Sequence, residues 1–240
     1  MRCTVVKLEE KGFNREIQEL MTRLLESDMV GSILLPKKTT GGDNYVQALV
    51  KNPKLLADTD ISAPVMPVQS ARLISNLTFR DPGEKIAVAV KPCEVRAVVE
   101  LTKFKQVRRD SLFIIAVDCL GTYEPKVFSS LVTNGKDPAA DLRKQAASGN
   151  CKPDEDASFR TACTMCEHPS VPLELVDLAV RVLPGIVDLG KIGDIILDII
   201  ADLALGRDPI LVIKGRQAAS DQQDGRQEHE SCRFQGVLQF

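Results

Sequence analysis

Apolar residues follow three rhythms along this chain. Ile17, Leu20, Met21, Leu24 and Leu25 recur at helical spacing, which predicts a helix from about Arg15 to Glu26 with Asn14 as its cap. Val68 to Leu77 and Glu94 to Phe104 carry the same spacing. Lys85-Ile-Ala-Val-Ala-Val90 and Leu112-Phe-Ile-Ile-Ala-Val117 are continuous apolar runs, the pattern of parallel strands buried on both faces. With the helical stretch between them they make a βαβ unit. Residues 1–11 read as a short strand followed by polar residues, Gly31 to Pro36 as a further strand, and residues 45–57 as a short helical or irregular segment. The fold class expected is α/β: a βαβ-containing sheet domain, a cysteine-rich cluster-binding segment and a helical C-terminal part.

Past Thr122 the rhythm weakens. Residues 134–162 are rich in Gly, Pro, Asp, Lys and Ala and read mostly as loop, with a helix near 137–147. Residues 171–206 read as two helices broken near Pro184-Gly185. From Gln217 the chain is polar and poor in apolar residues, the composition of a disordered tail. This divides the chain into a sheet domain (1–125), a cluster-binding loop with helices (126–216) and a tail (217–240).

Composition removes several function classes. Only 4% of the 240 residues are aromatic and none is tryptophan, so no stacking surface for bases or sugars is evident. A net charge of −2 with interspersed signs offers no basic stripe for nucleic acid. Charges within the first 30 residues leave no apolar stretch of the kind a signal peptide needs, so a cytoplasmic location is expected. The apolar-rich stretch Leu173 to Leu205 carries too many charges to span a membrane. Seven cysteines in such a chain favour metal or redox chemistry over disulfides.

Cys163-Thr-Met-Cys166 is the strongest local signal, because two intervening residues let both thiolates reach one metal atom or two corners of a cubane. No apolar strand precedes it, as a thioredoxin-type dithiol requires. Cys93 lies three residues beyond one apolar run and Cys119 two beyond the other. Parallel neighbours end on one edge of a sheet, where α/β proteins bind ligands. The two pairs together point to a four-thiolate site of Cys93, Cys119, Cys163 and Cys166, with Cys151 an alternative corner; the other reading of Cys93 and Cys119 is two small buried hydrophobes. Cys3 reads as core and Cys232 as unengaged. Four thiolates suit either zinc or an iron–sulfur cluster, and two histidines in the whole chain give little support to a mixed site.

At these residues the chain resembles the beta-subunit family of deazaflavin-coenzyme-reducing hydrogenases and formate dehydrogenases. The matching stretches are Ala63-Pro-Val-Met-Pro-Val68 with Ala71-Arg72-Leu73, Val90-Lys-Pro-Cys-Glu-Val-Arg-Ala97, Glu100-Leu-Thr-Lys-Phe-Lys-Gln106, Ile114-Ile-Ala-Val-Asp-Cys-Leu-Gly-Thr122 and Arg160-Thr-Ala-Cys-Thr-Met-Cys-Glu167. The resemblance implies a flavoprotein that holds FAD and a [4Fe–4S] cluster and passes electrons between a soluble carrier and partner catalytic or relay subunits. It carries the cluster ligands to Cys93, Cys119, Cys163 and Cys166. It places the flavin near Gly41 and Gly42 and the cations Arg72, Lys91 and Arg96, where glycine permits backbone approach to a pyrophosphate and the cations neutralise it. Family members are commonly longer, with a C-terminal portion that often carries ferredoxin-like cysteine motifs. The polar tail does not match it, and a neighbouring polypeptide is a candidate to supply that part. The competing function is a non-catalytic adaptor whose four-cysteine metal site is structural.

Overall fold

The computed structural model describes residues 2–7, 12–147, 151–170, 172–183 and 209–214. Seven strands form one sheet: β1 (Arg2–Lys7), β2 (Ser32–Lys38), β3 (Tyr45–Val50), β4 (Ile86–Val90), β5 (Leu112–Val117), β6 (Leu178–Leu183) and β7 (Pro209–Lys214). Their order across the sheet is β1-β7-β6-β5-β4-β2-β3. Every neighbouring pair is parallel except the hairpin of β2 with β3. The helices are α1 (Phe13–Glu26), α2 (Ser70–Thr78), α3 (Pro92–Lys103), α4 (Pro125–Thr133), α5 (Pro138–Ala147) and the single turn α6 (Thr161–Thr164). The α/β class expected from the apolar runs is the one observed.

Period-two geometry divides the strand residues between two faces. Ile33, Leu35, Ala87, Ala89, Phe113, Ile115 and Val117 pack with Ile17, Leu20, Met21 and Leu24 of α1. Leu34, Ile86, Val88, Val90, Leu112, Ile114 and Ala116 pack instead with Ala71 and Ile74 of α2 and Val95 and Val98 of α3. Both faces being covered, β4 and β5 are buried at every position, which accounts for their unbroken apolar runs. A third apolar cluster, built on Tyr45, Ala63, Val65, Leu120, Tyr123, Phe128, Leu131 and Leu142, joins α4 and α5 to the loops that follow β5 and precede α2.

Three local expectations are corrected. Residues 45–50 form β3, with a 3-10 turn at Pro53–Leu56, because Tyr45 to Val50 completes a ladder against β2. Residues 178–183 form β6 rather than helix, since the alternative is an unpaired edge on β5. Asn14 does not cap α1: Gly12 occupies that position, and the Asn14 amide donates to Asp60 at 3.4 Å. The sheet also takes β6 and β7 from beyond residue 125. The break at Pro184-Gly185, the helix expected after it, the tail from Gln217 and Cys232 lie outside the described residues. No helix among the described residues is long and apolar enough to cross a membrane.

Candidate metal and flavin site

Pro92 both ends the run of β4 and supplies the first turn of α3, a position where its missing N–H costs nothing. The turn is held by Glu94, whose carboxylate accepts from the N–H of Lys91 at 3.0 Å and from the N–H of Ser70, at the start of α2, at 2.7 Å. Cys93 thus projects from a braced helix start, directly above the end of β4. β4 and β5 pair in parallel, Val90 opposite Ala116, so the Cys119 loop leaves from the same edge.

Cys163 and Cys166 reach that edge by a different device. The segment 159–170 is stitched to the loop after β5: Arg160 N–H donates to Thr122 O at 2.9 Å, Cys119 N–H to Pro169 O at 2.8 Å, and the Ser170 hydroxyl to Asp118 at 2.8 Å. Arg160 also spans outward, to Glu124 at 3.0 Å and to the carbonyl of Met66 at 3.3 Å. Gly121 makes the stitching possible. Its φ is +98°, and a Cβ there would lie 2.6 Å from the Phe159 ring. The Thr122 hydroxyl and the Cys163 sulfur are 3.0 Å apart.

The thiols influence one another. Burial pushes Cys93 up to about 11, and the neighbouring Glu94, Cys119 and Cys163 push the same way while Lys91 opposes them. Although Cys93 reaches the surface, its sulfur lies against enough protein to disfavour the free thiolate. Cys151 is raised by burial and by Cys119, so it too lies close to the latter. Cys166 follows Cys163 through the C-x-x-C turn, its N–H on the Cys163 carbonyl at 3.3 Å. Among the described residues no three His, Cys, Asp or Glu side chains converge closely enough to hold one metal ion. A donor set of four cysteines, two from strand ends and two from one C-x-x-C turn, fits a four-thiolate group, either a cubane or a zinc ion.

The flavin candidates share this edge, because β2 runs parallel to β4 and its C-terminal end carries the loop 39–44. That loop is largely self-satisfied: Thr39 donates to Asp43 and to the Asn44 carbonyl, and Ser129 of α4 donates to Asp43 at 2.9 Å. Gly42 has φ +73° with open space where a Cβ would stand, so its glycine serves the turn; Gly41 is exposed. Lys91 is buried, Arg96 half-buried and Arg72 exposed, and none of the three side chains forms an ion pair or hydrogen bond among the described residues. Three cations without an ion pair among the described residues fit an anionic cofactor; the carboxylate of Asp43 in the glycine loop does not. The sequence reading missed Glu94, Thr122 and Arg160 as parts of the site, although each lies inside a stretch that carried the family resemblance.

No family model matches the chain. It is 30% identical over 125 residues to the F420-dependent formate dehydrogenase 1 subunit beta of Methanococcus maripaludis, covering 52% of this chain and 32% of that protein. It is 28% identical over 133 residues to the F420-dependent formate dehydrogenase subunit beta of Methanocaldococcus jannaschii, covering 52% and 34%. The chain therefore spans about a third of the length of these curated relatives. A chain of the F420-reducing [NiFe] hydrogenase complex from Methanosarcina barkeri aligns over 50% of this chain and 43% of its own, with a TM-score of 0.43 and 14% identity, too remote to position residues. The resemblance read from the motifs holds: over about half its length this chain is similar in sequence to the beta subunits of F420-dependent formate dehydrogenases.

Proposed function

We propose that the protein is an electron-transfer subunit of a formate-dehydrogenase- or hydrogenase-like oxidoreductase complex, with a [4Fe–4S] cluster held by Cys93, Cys119, Cys163 and Cys166. The observation that carries this reading is the gathering of thiols from β4, β5 and the stitched segment at one sheet edge, in a chain related to such subunits. The cluster, when bound, supplies one-electron transfer. The protein's own residues do the rest: Pro92 and Glu94 fix the Cys93 turn, Gly121 admits Phe159, and Arg160 holds the C-x-x-C segment down. FAD belongs to the proposal through Arg72, Lys91 and Arg96, whose charges would neutralise its phosphates. Gly41 and Gly42 remain in it only as the neighbouring loop. A catalytic or relay subunit and a soluble electron carrier are the partners proposed.

Anaerobic purification tests this reading. About four iron and four acid-labile sulfide per chain are expected, as one cubane requires. Stoichiometric zinc without sulfide would instead establish the structural adaptor. For the flavin, Arg96→Glu is expected to weaken FAD binding more than Arg108→Glu, since Arg108 lies at the other end of α3, where its N–H meets Thr78. Equal losses would remove the cation assignment.

A further inference from the structure

We infer that Thr122 raises the reduction potential of the cluster by donating a hydrogen bond to Cys163; the inference rests on the proposed function. Thr122 is 1% exposed. Its backbone is fixed on both sides, the carbonyl by Arg160 N–H and the next residue by a bond from Tyr123 N–H to Pro64 O at 2.8 Å. The hydroxyl is buried away from water, and the Cys163 sulfur 3.0 Å away is its partner. In the free protein either atom can donate. A ligating thiolate has no proton, so in the loaded protein the hydroxyl is the donor and the sulfur the acceptor.

Among the described residues this is the one hydrogen bond made to a cysteine sulfur. Adding one electron to the cluster increases the negative charge shared with its sulfurs. A donor aimed at a sulfur stabilises that reduced state more than the oxidised one, and hydrogen bonds to the sulfurs are among the determinants of cluster potential. Thr122 is thus a positioning residue that acts through Cys163. It would make the Cys163 corner unlike the three others.

The test is an anaerobic potentiometric titration, followed by electron paramagnetic resonance, of the full chain reconstituted with iron and sulfide. Wild type, Thr122→Val and Thr122→Ser are compared. Thr122→Val keeps the shape and removes the donor, and is expected to shift the midpoint negative. The bond exists in both redox states, so only its strengthening on reduction counts; a shift of at most roughly tenfold in the reduction equilibrium is expected, which for one electron is about 59 mV. Thr122→Ser restores the donor and is expected to titrate with wild type. A valine variant that titrates with wild type overturns the inference. Should the valine variant fail to hold the cluster, wild type decides alone: an iron–thiolate stretching band that shifts in D2O supports the bond, and an unshifted band overturns it. A wild-type chain that takes up no iron and sulfide sinks the proposed function itself, a result distinct from either.

Discussion

The two halves of the thiol set are held at the sheet edge in unlike ways. Cys93 and Cys119 stand at the ends of β4 and β5, strands buried at every position. Cys163 and Cys166 stand on a mostly exposed segment with a single helical turn, attached by a handful of hydrogen bonds. The first pair inherits its position from the hydrophobic core. The second depends on local bonds that each contribute about 1 kcal/mol net. In the proposed cluster site, core-rooted thiols would fix its location, and a lightly held arm would let it form around the cluster.

Breaking the core should move the rooted pair and everything resting on it. Ile115→Ala removes a fully buried side chain between the sheet and α1. A loss of about 2–5 kcal/mol in denaturant unfolding is expected. Gly121→Ala strikes the arm instead, since an alanine there meets both the positive φ and the Phe159 ring. The strain is about 1–3 kcal/mol, and limited proteolysis should show cleavage in residues 159–170 while the sheet stays protected. Equal protection in both regions would mean that the arm is as firmly seated as the strands.

Arg160→Ala sharpens the comparison further. It deletes the bonds to Glu124 and the Met66 carbonyl but spares the backbone stitches. An effect of about 1 kcal/mol or less on unfolding is expected, with a larger fractional loss of iron than Ile17→Val, a mild change in the core beneath α1. The smallest effect concerns Asp43, held below its ordinary 3.8 chiefly by the Ser129 hydroxyl. A depressed carboxyl stabilises the fold above its unfolded value and loses that contribution as pH falls through the folded one. Ser129→Ala should therefore raise the Asp43 value in an NMR titration and flatten the acid limb below about pH 4. An unchanged titration would show that the loop before β3 is set without α4.

Much of the rooted half was legible in the sequence, because a strand buried on both faces writes itself as an apolar run and Pro92 marks where it must end. β6 was not. Leu178-Ala-Val-Arg-Val-Leu183 sits in a leucine-rich stretch whose spacing also suits a helix, and only its pairing with β5 and β7 decides. β3 lacks clean alternation because its side chains differ in burial without a regular period. In the site, residue type revealed the cysteines, whereas the bond between Thr122 and Cys163 joins positions 41 apart and follows only from the path of the chain. Asn14 shows the same limit: a capping residue by composition, it is drawn into tertiary contact with Asp60.

Glu94 has a mechanical consequence. One buried carboxylate receives the first N–H of α2 and the strand-end N–H of Lys91, so a single anion rivets two helix starts together. The Cys93 turn cannot tilt without carrying Ser70 along, and Arg72 is two residues further on. A load applied to either turn is thereby shared by both.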